Sequence, residues 1–156
     1  MKKTLILGIG NNILTDDGIG FRLVDDIGKM ISDPDLDYEK AGCGGLEIID
    51  HIRDFKRVIF IDAIRTREGK PGDVYYFIPS DFQDTLHLSN LHDVSFLTAL
   101  KLGRTLNLDL PEDLHIIAIE IIEDMEFSEE FTLELKKKYP EILEKVLEKV
   151  RWIIVQ

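Results

Sequence analysis

The run Arg-Val-Ile-Phe-Ile-Asp-Ala-Ile at residues 57–64 constrains the fold more than any other stretch of the chain. Its apolar residues follow one another without alternation, so a strand built from them is apolar on both faces and needs cover on both. That places it at the centre of a sheet. Residues 3–9 form a second continuous apolar run, and His-Ile-Ile-Ala-Ile-Glu-Ile-Ile at 115–122 reads as the last strand. Asp73 to Ile78 follows the central strand too closely for a parallel crossover, which takes about a dozen residues or more. It therefore runs antiparallel.

Helical spacing fills the gaps. Ile19, Leu23, Val24, Ile27 and Ile31 share one face of a helix that ends before Asp33-Pro34, because proline disfavours helical backbone in the residue ahead of it. A short strand at 37–41 leads through the turn Gly42-Cys43-Gly44-Gly45 into a helix carrying Leu46, Ile49 and Ile52. A loop rich in Asp, Ser and Asn from Pro79 to Asp93 precedes a helix at 94–107 that buries Phe96, Leu97, Leu100 and Leu106. The C-terminal region reads as helix interrupted at Pro140, with Ile142, Leu143, Val146, Leu147 and Val150 facing inward and Trp152 to Val155 packing back on the sheet. The expected fold is α/β, one domain over 1–156: a three-layer, doubly wound, mostly parallel twisted sheet of about five strands, one antiparallel, with helices on both faces.

Ligands of such sheets sit beyond the carboxyl ends of the strands, where strand order reverses. If strands one and three flank that reversal, their ends define the site. The turn after the first strand is unusual. Gly8-Ile9-Gly10 opens as a dinucleotide fingerprint does, yet Ile13 stands where the third glycine belongs, and Asp16 and Asp17 follow close to where a pyrophosphate would lie. Asp17 alone reads first as a helix cap, but one cap does not require two acids. Asp62 interrupts an otherwise apolar strand at the end where active-site carboxylates project. Of the four histidines, His51 reads as a surface residue and His115 as structural. His87 lies deep in the long loop, whereas His92 is anchored by the helix that follows it. Asp17, Asp62 and His92 together make an oxygen, oxygen and nitrogen set suited to borderline divalent ions such as nickel or zinc.

Composition narrows the partners. With 30 acidic against 19 basic residues and a net charge of −11, the chain has no broad basic surface for nucleic acid or anionic lipid. No apolar run approaches the roughly 20 residues of a membrane span. The start, Met-Lys-Lys followed by a short apolar run, reads as a first strand and not as a signal peptide, because no small-residue cleavage site follows. Cys43 is the sole cysteine, so no intrachain disulfide framework exists and a reducing cytoplasm fits best. Between two flanking glycines it reads as a small turn residue rather than a nucleophile. Neither a G-x-S-x-G elbow nor an H-E-x-x-H pair is present.

The segments GIGNNILTDDGIG at 8–20, GCGGLEII at 42–49, IDAI at 61–64 and LHDVSFLTAL at 91–100 resemble the NiFe-hydrogenase maturation endopeptidases, over nearly the whole chain. The resemblance implies a cytoplasmic protease that removes the C-terminal extension of a hydrogenase large-subunit precursor after nickel insertion. It implies that Asp17, Asp62 and His92 recognise nickel supplied by the precursor, with no tightly held metal of the protease's own. Asp16 would tune the site and is a candidate base, and Gly8, Gly10 and Gly18 would let backbone approach the substrate tail. The nickel-loaded precursor is then the partner, without nucleic acid or membrane. After His92 the chain reads Asp-Val-Ser where some members carry a glycine, which marks a subgroup and leaves the hydrogenase class open. Two rivals remain: a nucleotide-binding α/β protein, and a non-catalytic nickel-binding assembly factor on the same fold.

Overall fold

Continuous apolar runs become the inner strands of one five-stranded sheet. In the computed structural model, which describes residues 4–42, 45–82 and 99–156, the strands are β1 (Thr4–Ile9), β2 (Leu36–Ala41), β3 (Arg57–Ile64), β4 (Val74–Phe77) and β5 (Asp113–Glu120). Their order is β2-β1-β3-β5-β4, with every pairing parallel except β4 against β5. Helices α1 (Ile19–Met30), α2 (Gly45–Ile52) and α4 (Leu133–Ile154) join α3, which includes residues 99–105. Cys43, Phe96, Leu97, His87 and His92 lie outside the described residues.

The two faces of the sheet carry separate cores. Ile59, Ile61, Ile117 and Ile119 pack with Leu23 and Ile27 of α1 and with Ile142 and Val146 of α4. On the opposite face Leu5, Leu7, Val58, Phe60 and Ile116 pack with Ile48 and Ile52 of α2 and Leu100 of α3. Three layers result, as the double-sided apolar strands require. Contact between α1 and the sheet is close: a Cβ on Gly20 would lie 2.5 Å from the Ile61 carbonyl oxygen and 2.7 Å from that of Ile9.

Three sequence expectations are corrected and a fourth holds in part. α4 does not break at Pro140 but runs through it. A buried stripe of Leu135, Tyr139, Ile142, Val146, Val150 and Ile153 spans the proline. Each such side chain contributes about 1.5–3 kcal/mol on burial, which together outweighs the roughly 3 kcal/mol a helix-interior proline costs. Leu106 is 58% exposed rather than buried. The chain turns left-handed at Asn107 (φ 55°), and Leu108 N donates to the Gly103 carbonyl at 3.0 Å, so α3 closes before Leu106 can turn inward. β5 lies two residues earlier than its apolar run suggests, because Asp113 pairs with Arg57 at its start while Ile122 N is drawn off to Asp16 at its end. Of the last residues only Ile153 is fully buried; Trp152 meets Tyr76 of β4 edge-on at 5.8 Å, and Val155 is exposed.

His115 is structural, as read, and sits at the end of the sheet where β5 begins. Its ring bridges the Tyr76 hydroxyl at Nδ1 (2.7 Å) and Asp113 Oδ1 at Nε2 (2.8 Å). A neutral imidazole satisfies both, donating to Asp113 and accepting from Tyr76. Burial holds the imidazole below its usual pKa, more than the neighbouring Asp113 carboxylate raises it. The folded state thus favours neutral His115, and the stability this preserves is present above the unfolded-state value of about 6.5 and lost as pH falls below it. Urea midpoints should therefore decline from pH 7 to pH 5, and His115→Gln should flatten that decline. An unchanged slope in the variant would assign the effect to other groups.

Candidate active site

β1 lies between β2 and β3, so the crossovers leaving it go in opposite directions and the β1/β3 boundary is where strand order reverses. The register defines a notch there. β1 stays paired with β3 only as far as Gly8 opposite Ile61, whereas β3 continues against β5 to Ile64 opposite Glu120. Asp62 is the first β3 residue beyond the β1 pairing. It is 6% exposed, and its Oδ1 accepts the Ala63 N–H at 2.8 Å.

A 3-10 turn over Thr15–Gly18 carries both other acids to this edge and packs against β3. Asp17, 1% exposed, lies against the backbone of Gly10. Gly10 has φ +148°, and a Cβ there would sit 2.1 Å from the Asp17 carbonyl oxygen and 3.8 Å from its carboxylate carbon. Only glycine satisfies both conditions. The N-cap position of α1 is Gly18, so Asp17 is not that helix's cap. Gly10 and Asp17 are thereby fixed together at the end of β1, on the same sheet edge as Asp62. His92, the third predicted ligand, lies outside the described residues. Among the described residues no three His, Cys, Asp or Glu side chains gather as a metal-holding group.

Asp16 is held differently from its neighbour. Fully buried, it accepts Thr132 N at Oδ1 (2.8 Å), and at Oδ2 it accepts Ile122 N (3.2 Å), Glu123 N (3.1 Å) and the Thr132 hydroxyl (3.1 Å). These donors lie more than a hundred residues away in sequence. The carboxylate joins the turn after β1 to the loop after β5 and to Thr132, the N-cap of α4.

The glycines expected to face a substrate tail face the protein instead. A Cβ on Gly8 would meet the Gly20 carbonyl oxygen at 2.7 Å, and one on Gly18 the Cα of Asn12 at 2.9 Å. Close seating of the turn and of α1 consumes the space their missing side chains leave.

Sequence reasoning passed over Glu120. It is buried on the same sheet face as Asp62, two register positions further along β5. Its carboxylate accepts Thr66 N at 2.9 and 3.1 Å and the Thr66 hydroxyl at 2.5 Å, while that hydroxyl oxygen accepts Gly69 N at 2.8 Å. This ties down the chain leaving β3 beside Asp62. The signal was present, since Glu120 interrupts an apolar strand just as Asp62 does.

A doubly wound α/β domain with buried aspartates at its switch point is the class these features define. The hydrogenase maturation protease family matches residues 21–149, and the chain belongs to that family. It is 28% identical over 104 residues to the hydrogenase 2 maturation protease of Escherichia coli, a match covering 64% of this chain and 63% of that protein, less than two thirds of its length. A putative hydrogenase maturation protease of Methanocaldococcus jannaschii is 28% identical over 160 residues, covering 99% of this chain and 95% of the relative. Among solved structures, the NiFe hydrogenase maturation protease HybD of Thermococcus kodakarensis superposes with a TM-score of 0.73 at 25% identity, over 95% of this chain and 98% of that one.

Proposed function

We propose that the chain is an endopeptidase that trims the C-terminal extension of a NiFe-hydrogenase large-subunit precursor after nickel has been inserted. Asp17, Asp62 and His92 read the nickel the precursor carries. The supporting observation is the burial of Asp17 and Asp62 at one switch-point edge, the first on the 3-10 turn after β1 and the second on β3. Membership of the maturation protease family supports the reaction class.

Physical chemistry makes the reading coherent. Two carboxylates and an imidazole suit a borderline divalent ion. Here the cation arrives with the substrate, so cleavage reports that loading is complete. In a site of low dielectric the ion polarises the scissile carbonyl or activates a water. Asp16, with both oxygens already accepting hydrogen bonds, positions the turn and moves no proton. The acidic turn disfavours the nucleotide alternative, since Asp17 stands where a phosphate would lie. Among the described residues no helix is long and apolar enough to cross a membrane. The proposed reaction is a cytoplasmic one, a reading supported by the lone Cys43, which suits a reducing compartment.

The test is the intact mass of a C-terminally extended large subunit incubated with this protein, with and without nickel loaded. Shortening of the loaded precursor alone is expected. Tight nickel binding by the chain, with no cognate precursor ever shortened, would favour the assembly-factor reading instead.

A further inference from the structure

The loop between β5 and α4 displays two large apolar side chains to solvent, Met125 at 77% and Phe127 at 82% exposure. Looseness does not account for this, because the loop is bonded along its length. Asp16 accepts Ile122 N and Glu123 N; Glu123 Oε1 accepts Met125 N at 2.8 Å and Glu126 N at 3.0 Å. Thr15 donates its hydroxyl to the Glu126 carbonyl at 2.6 Å and its N–H to that of Ser128 at 2.9 Å. Ser128 N in turn donates to Ile13 at 2.9 Å, and Ile13 is itself 43% exposed. The apolar pair is thus built onto the same turn that carries Asp17.

Solvated large apolar groups on a fixed frame mark an interaction surface. Its charge selects the occupant. Glu123, Glu126 and Glu129 flank Met125 and Phe127 in the sequence, while Asp124 pairs with Arg65 and Glu130 with Lys136, so the loop keeps a net negative charge that repels anionic partners and draws in cationic ones. Past this acidic rim the loop ends at Phe131, which helps to line a cleft of about 190 Å³ with Arg22, Lys136 and Tyr139. The cleft has room for a side chain.

We infer that this loop is the docking surface for the precursor, taking a segment that presents large apolar side chains beside Lys or Arg. This rests on the proteolytic reading and names the partner surface of that site. Docking on the loop leaves the bound polypeptide at the turn of Asp17, only two residues from Thr15. The surface supplies affinity, and the buried aspartates supply discrimination for loaded metal.

Binding of the nickel-loaded large-subunit precursor to the intact chain, measured by calorimetry beside processing rates, tests the inference. The double variant Met125→Ser, Phe127→Ser should weaken binding about tenfold or more. It should raise KM with kcat preserved, and it should melt as the wild type does, since both side chains are exposed. Glu129→Lys with Glu130→Lys should flatten the salt dependence of association. Wild-type affinity in the serine variant would overturn the inference. A wild-type chain that binds the precursor without cutting it, and loses binding in the serine variant, would keep the docking surface and overturn the proteolytic reading. A wild-type chain that neither binds nor cuts would overturn both.

Discussion

Asp17→Asn and Asp62→Asn should each lower processing of a nickel-loaded precursor by about a thousandfold or more, because the metal's contribution to the transition state amounts to several kcal/mol. Neither variant should unfold. Both side chains are buried, at 1% and 6% exposure. Asparagine keeps the shape and a carbonyl oxygen while removing a charge that is expensive to bury. Melting temperatures should stay within a few degrees of the wild type. Single-turnover rates together with thermal melts check this. Wild-type processing by Asp62→Asn would remove that carboxylate from the metal-reading set. A collapse of the melting temperature alongside activity would make either acid structural.

The adjacent acid should behave in the opposite way. Asp16→Ala leaves the N–H groups of Ile122, Glu123 and Thr132 without their acceptor and strips the N-terminus of α4 of its anchor. Each lost acceptor costs about 1–3 kcal/mol where water cannot replace it. These groups are only partly buried, so the total should be about 2–4 kcal/mol, lowering the melting temperature by roughly ten degrees. Activity should fall with it, because Asp17 shares the displaced turn, and should recover partly when temperature is lowered. A variant that melts as the wild type does yet processes nothing would instead make Asp16 the group that moves a proton. The two neighbours thus separate by readout, one in rate at constant stability and the other in stability first.

Much of the frame is legible locally. An apolar run without alternation can only be covered on both sides, so RVIFIDAI had to be central, and β3 is buried from Val58 to Ile64. The antiparallel β4 followed from a connection too short for a crossover, and the helical stripe of α1 from residue spacing alone. Asp62 stood out because a charge in such a run needs a reason. Glu120 carries the same signal, but nothing near it in the chain points to Thr66 as its partner. Pro140 and Leu106 depart from local expectation because packing and chain stereochemistry override propensity there: a continuous buried stripe in one case, a left-handed closure in the other.

What the order of residues determines by itself, then, is which segments must be buried and which acids are out of place, because burial patterns and chain stereochemistry act over a few neighbours. Tertiary structure decided what each acid does. Asp16 and Asp17 are adjacent and chemically alike, and no local rule distinguishes them. The fold does so by bringing donors from Ile122, Glu123 and Thr132 onto one carboxylate and the φ-positive backbone of Gly10 against the other. Hydrogen-bond partners more than a hundred residues apart meet only once the sheet has closed, so their pairing is a property of the packed chain and of no segment within it.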